Sequence, residues 1–131
     1  MNSTQTALDV TGIAFALYHV SDIPRAKKFY GETLGLKLCA EMEFAPGQWW
    51  LEYDAGPGAL ALTNCTIPGA NTSPSSGVAL EVSNYAEALE LVRAAGIELT
   101  WGPNECPVCH SFAIRDPDGN DLYIHQRKPH A

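Results

Sequence analysis

From residue 13 to residue 20 the chain alternates in the manner of a half-buried strand. Phe15, Leu17 and His19 fall on one face, and Ala14, Ala16, Tyr18 and Val20 on the other. The period then lengthens to that of a helix, with Ala26, Phe29, Tyr30 and Leu34 recurring on one side. Ser21 or Asp22 caps this helix, and Gly35 ends it. Pro24 sits in the first turn, where a missing N–H costs little. Short strands are predicted near 37–42, 48–53 and 59–64, with a Gly/Pro turn at 54–58 between the last two. The same order returns later: strand 78–82, helix 85–95, and strands 97–101, 111–115 and 121–126. Asp116-Pro117-Asp118-Gly119 turns the chain between the last two, with proline and glycine at positions that suit them.

Each half therefore reads β-α-β-β-β, and the two halves share residues as well as pattern. Val20 answers to Val82, Ser21 to Ser83, Asp22 to Asn84, Ala26 to Ala88 and Phe29 to Leu91, each 62 positions on. Gly35 answers to Gly96 after a one-residue slip. The halves are expected as a module at 12–65 and a module at 77–127. A linker at 66–76, rich in Pro, Gly, Ser, Thr and Asn, joins them. In each module the helical crossover makes the first and last strands parallel, and the three later strands form an antiparallel meander. A unit of this size cannot bury its own apolar face and needs a partner copy, which leaves a concave surface between the two.

The doubled β-α-β-β-β unit, the F-Y-x-x-x-L-G-L run at 29–36 and the S-F-A-I-R-D-P-D-G-N run at 111–120 resemble the vicinal oxygen chelate superfamily. That group includes glyoxalase I, extradiol dioxygenases, methylmalonyl-CoA epimerase, and the fosfomycin and bleomycin resistance proteins. The resemblance covers nearly the whole chain. It implies an α+β fold in which two tandem βαβββ modules form a curved sheet around a shared cavity, commonly as a homodimer. It also implies a divalent metal held by one residue from the first and last strand of each module. Matching the motifs puts those positions at Phe15, Ala61, Gly77 and Tyr123. Such a metal needs imidazole nitrogen or carboxylate oxygen. Phenylalanine, alanine and glycine side chains offer neither, and a neutral tyrosine hydroxyl is a poor substitute. No metal is expected at the family position.

Strand alternation carries the cavity face onward through Leu17 to His19, to Glu81, to His125 and to Thr63. His19, Glu81 and His125 are expected near one end of the cavity. Three roles are open to them: ligands of a displaced divalent metal, an acid–base pair with an orienting partner, or hydrogen-bonded wall residues without chemistry. Trp49 and Trp50 point to opposite faces, so one of them lines the cavity, and Trp50 is assigned to it. Aromatic walls suit flat or apolar ligands.

Cys106-Pro107-Val108-Cys109-His110 matches the attachment pattern of c-type haem, a use that would require export. A thioredoxin-like role wants the first cysteine at a helix N-terminus, whereas this motif enters a strand. A structural zinc would need further ligands, and no second cysteine pair supplies them. The loop is read as shaping the cavity mouth, with Glu105, Cys109 or His110 against a ligand. The Asp116-Pro117-Asp118-Gly119 acidic pair is read as turn chemistry, and the helix charges as a solvated face.

Composition narrows the classes. A net charge of −7 argues against nucleic acid, whose binding rests on basic residues neutralising phosphates. The opening residues carry no basic n-region and no apolar core of a signal peptide. No apolar run reaches the roughly 18 to 20 residues that would span a bilayer. A cytoplasmic protein with four reduced cysteines is expected. The expected function is metal-free binding of a small hydrophobic or aromatic molecule. The alternatives are a metal-dependent lyase or dioxygenase built on His19, Glu81 and His125, and a surface-acting partner module.

Overall fold

The computed structural model describes residue 9 and residues 13–66 and 78–129. Its elements are β1 (Phe15–His19), α1 (Ile23–Lys27), β2 (Leu38–Ala45), β3 (Gln48–Ala55) and β4 (Gly58–Thr63) in the first half. The second half holds β5 (Val78–Glu81), α2 (Tyr85–Ala94), β6 (Trp101–Glu105), β7 (Cys109–Arg115) and β8 (Asp121–Arg127). Two four-stranded sheets result, ordered β1-β4-β3-β2 and β5-β8-β7-β6. In each, the first and last strands of the repeat run parallel and the rest antiparallel, as the crossover rule requires.

The repeated V-S-[DN] signature makes matched helix caps. Asp22 Oδ1 accepts from Arg25 N at 2.9 Å, and Asn84 Oδ1 accepts from Glu87 N at 3.1 Å. Gly35 and Gly96 take φ of 75° and 74°, the left-handed conformation that stops each helix without a Cβ penalty. After α1 the chain widens into a π-helical turn at Lys28–Thr33, in which Leu34 N donates to Phe29 O at 2.9 Å.

One expected strand is displaced. The apolar stretch 97–101 predicted a strand, but Ile97 and Leu99 pack beside the core outside the ladder. The ladder begins at Trp101 and pairs Trp101 with Ala113 and Asn104 with Ser111. β6 is an exposed edge strand, where Pro103 removes no needed hydrogen bond. Gly102 is required here: its φ is 86°, and a Cβ would stand 3.0 Å from Ser111 O and Phe112 Cα.

Alternation separates each sheet into a core face and an outer face. Tyr18, Leu51, Tyr53, Leu60 and Leu62 of the first sheet share one hydrophobic core with Phe112, Ile114, Leu122 and Ile124 of the second. Ile23, Ala26 and Tyr30 from the first helical segment and Val92 from α2 complete it.

The Asp116–Asn120 segment is more than a turn. Asp116 is buried; its Oδ2 accepts from Tyr30 Oη at 2.7 Å and from Asn120 Nδ2 at 2.8 Å. Its Oδ1 accepts from the backbone N–H groups of Asp118 at 2.9 Å and Asn120 at 2.8 Å. Asp118 Oδ1 accepts from Ser21 Oγ at 2.6 Å and pairs with Arg25 at 3.1 Å. Tyr18 Oη donates to the carbonyl of Asp121, and Asn120 Nδ2 to that of His19 at 3.3 Å. The hairpin of the second half thus clamps β1 and α1 of the first. The helix charges are correspondingly not all free: Arg25 serves this clamp, and Lys27 pairs with Glu41 at 2.7 Å.

Burial, joined by the charge and hydrogen bond of Asp116, holds the Tyr30 hydroxyl far above its ordinary ionisation range. Tyr18 is raised too, by burial first and then by Asp116 and Asp121. An unfolded tyrosine ionises near about pH 10, while these two stay protonated in the fold. Their contribution is therefore complete below about pH 10 and is lost as the pH rises further. Urea unfolding above that pH should show stability falling, with a shallower fall in Tyr30→Phe than in wild type.

Candidate ligand-binding site

The described residues predicted to meet a ligand, His110 excepted, sit on the outer faces in two groups. On the first sheet, Leu17 pairs with Ala61 and His19 with Thr63, while Thr63 pairs onward with Trp50 and Ala61 with Glu52. Phe15 packs edge-on against Trp50 with ring centroids 5.4 Å apart, and Phe44 approaches Trp50 at 6.3 Å. Trp49 instead packs against the core, as strand alternation requires. Trp50 Nε1 donates to Glu52 Oε2 at 2.8 Å, which fixes the indole plane on the open face and sets a carboxylate beside it. Between these large side chains the small Ala61 and Thr63 are buried, yet Phe15, Leu17, Met42 and Phe44 are 40–62% exposed.

On the second sheet, Ala79 pairs with Tyr123 and Glu81 with His125; Tyr123 pairs onward with Ala113, and His125 with Ser111. Trp101 stands edge-on to Tyr123 at 6.3 Å. His125 Nδ1 meets Glu81 Oε1 at 2.5 Å, and Glu81 Oε2 accepts from Arg127 N at 2.7 Å. The Arg127 N–H, then the His125 hydrogen bond, holds the Glu81 carboxyl below its ordinary range.

A cavity of about 970 Å³ lies between the two halves. Ala16, Leu34 and Leu60 line it from the first half, and Leu80, Val92 and Ile124 from the second. Among the described residues, Glu81 is the one predicted ligand contact that reaches it. Sequence alternation assigned the outer face to the cavity wall, whereas this space opens beside the core faces and along the edge of β5.

A model of the "Glyoxalase/Bleomycin resistance protein/Dioxygenase superfamily" matches residues 12–124. The chain belongs to this superfamily. Its fold is shared with TnmS3, an antibiotic binding protein from Streptomyces sp. CB03234, at a TM-score of 0.76 and 23% identity over 93% of this chain and 100% of that one. A glyoxalase/bleomycin resistance protein from the same Streptomyces gives a TM-score of 0.73 and 26% identity, covering 88% and 100% of the two chains. Lactoylglutathione lyase from Agrobacterium tumefaciens gives 0.73 and 19%, covering 91% and 96%. No curated protein matches the sequence.

The superfamily's metal can be tested against the donors present. Phe15 and Ala61 have no donor atom in their side chains, and Tyr123 offers a neutral phenol, its ring edge-on to Trp101. Gly77 lies outside the described residues. This donor set does not fit a divalent cation. Nor are His19, Glu81 and His125 gathered into one centre. Glu81 and His125 meet, but His19 belongs to the other sheet. Among the described residues no group of three His, Cys, Asp or Glu side chains is placed to hold a metal ion. No described helix of this superfamily member is long and apolar enough to cross a membrane.

The cysteine loop joins β6 to β7. Cys109 shares the outer face with Ser111, while His110 turns the other way and stacks on Tyr85 at 5.1 Å. His110 and His125 therefore stand on opposite faces of the second sheet. Residues 110 and 125 pair in register with 126 and 111, one step out of phase.

Proposed function

We propose that this superfamily member binds a small, flat, predominantly apolar molecule on the Trp50 face of the first sheet. In this reading a second copy of the chain closes the site. The carrying observation is the Phe15–Trp50–Phe44 cluster, joined by Leu17 and Met42, lying open on a sheet face. Contiguous apolar surface of this kind marks a binding or association site rather than a free exterior. The second sheet presents a matching open face in Trp101 and Tyr123, so a homodimer that sets one face against the other covers both. Glu52 beside the indole and the net charge of −7 favour neutral or cationic ligands over anions.

A second reading rests on the Glu81–His125 pair. A histidine oriented by a carboxylate is the arrangement of a general base, and the Arg127 N–H fixes that carboxylate. The two readings separate in one experiment. The wild-type chain is titrated with a panel of flat aromatic molecules while tryptophan fluorescence is followed, and any bound compound is recovered and weighed by mass spectrometry. A compound that shifts the emission and returns unchanged supports binding alone; a chemically altered one supports catalysis. A panel that leaves the emission untouched overturns the Trp50 site.

A further inference from the structure

We propose that Cys106 and Cys109 form a reversible dithiol–disulfide site, closed by exchange with a small-molecule disulfide such as glutathione disulfide. The two sulfur atoms lie 3.1 Å apart across the β6–β7 connection, in contact and unbonded. Both residues are partly exposed, and Val108 between them is 67% exposed, so a small disulfide has access. The backbone holds the pair in place: Cys106 N donates to Cys109 O at 2.9 Å, and Lys128 N to Val108 O at 2.8 Å. Neither sulfur needs a change of strand register to reach the other.

The surroundings divide the labour. The Cys109 thiol and the Val108 N–H point to the Cys106 sulfur, and Lys128 lies nearby, held by Glu105 at 2.5 Å. These groups lower the pKa of Cys106, while the hydrogen bond to the Cys106 sulfur, then burial, raises that of Cys109. Cys106 is thus the attacking thiolate and Cys109 the resolving one. The Cys106 thiolate attacks one sulfur of the small disulfide, forming a mixed disulfide and releasing one small thiolate. Deprotonated Cys109 then attacks the Cys106 sulfur and releases the second. The two cysteines lose two electrons and two protons, and the small disulfide becomes two thiols. The new bond ties the two arms of the hairpin at the end of the second sheet's outer face.

The test uses the intact reduced chain, glutathione disulfide, acid quenching and peptide mapping by mass spectrometry. A Cys106–Cys109 intramolecular bond should accumulate in wild type with little glutathione retained on either residue. In Cys109→Ser the Cys106–glutathione adduct should rise about tenfold over wild type, because the resolving thiol is gone. Exposed Cys39 serves as an internal comparison that takes up glutathione and forms no internal bond. A wild-type chain that keeps a stable glutathione adduct at Cys106 or Cys109 overturns the proposal. So does one in which both remain free thiols while Cys39 reacts.

Discussion

Asp116→Ala is expected to destabilise the fold by about 3 kcal/mol, read as a lower urea midpoint with an unchanged slope. Asp116 is 5% exposed and receives four hydrogen bonds, two from side chains and two from backbone N–H groups. Hydrogen bonds to a charged group contribute more than neutral ones, and removing the acceptor leaves the Tyr30 hydroxyl buried without its carboxylate. The loss also acts between modules, since Tyr30 belongs to the first half and Asp116 to the second. Tyr30→Phe keeps the three other bonds and should cost less, about 1 kcal/mol. A loss under about 1 kcal/mol in Asp116→Ala would show that the hairpin does not clamp the halves together.

Trp50→Ala is expected to weaken binding of any ligand found by fluorescence titration about 30-fold, or about 2 kcal/mol. The indole is the hub of the outer-face cluster, touched by both Phe15 and Phe44 and oriented by Glu52. Because its side chain lies on the open face and outside the core, the substitution should leave the fold of a single chain nearly unchanged. Trp49→Ala makes the opposite pair of changes, lowering stability through the core while sparing affinity. Equal affinity losses in the two variants would move the site away from the Trp50 face.

The architecture was legible because the repeat states it twice. Two caps, two helix-ending glycines and two strand alternations agree across the halves, and every parallel and antiparallel pairing follows from them. The strand at 97–101 misled because an apolar run can pack beside a core without joining a ladder. Here the ladder waits for Trp101, where Gly102 allows the close approach of Phe112. The Asp116–Asn120 run was legible as a turn, but its second use was hidden. Nothing local shows that Tyr30, 86 residues earlier, donates to Asp116. Alternation likewise put Tyr123 and His125 on one face of the second sheet, opposite its core, and brought Glu81 to His125. Alternation cannot say where a face points, so it drew His19 toward that pair although it lies on the other sheet.

In the proposed function the open aromatic face of one copy is covered by another. Sedimentation equilibrium of the wild-type chain addresses this directly, with Phe44→Glu as the comparison. Phe44 is 62% exposed, so placing a carboxylate there has little effect on the fold of one chain and a large one on a dry interface. Wild type is expected to sediment at twice the 14.1 kDa chain mass, and Phe44→Glu as a single chain. Wild type sedimenting as one chain at every concentration would contradict it.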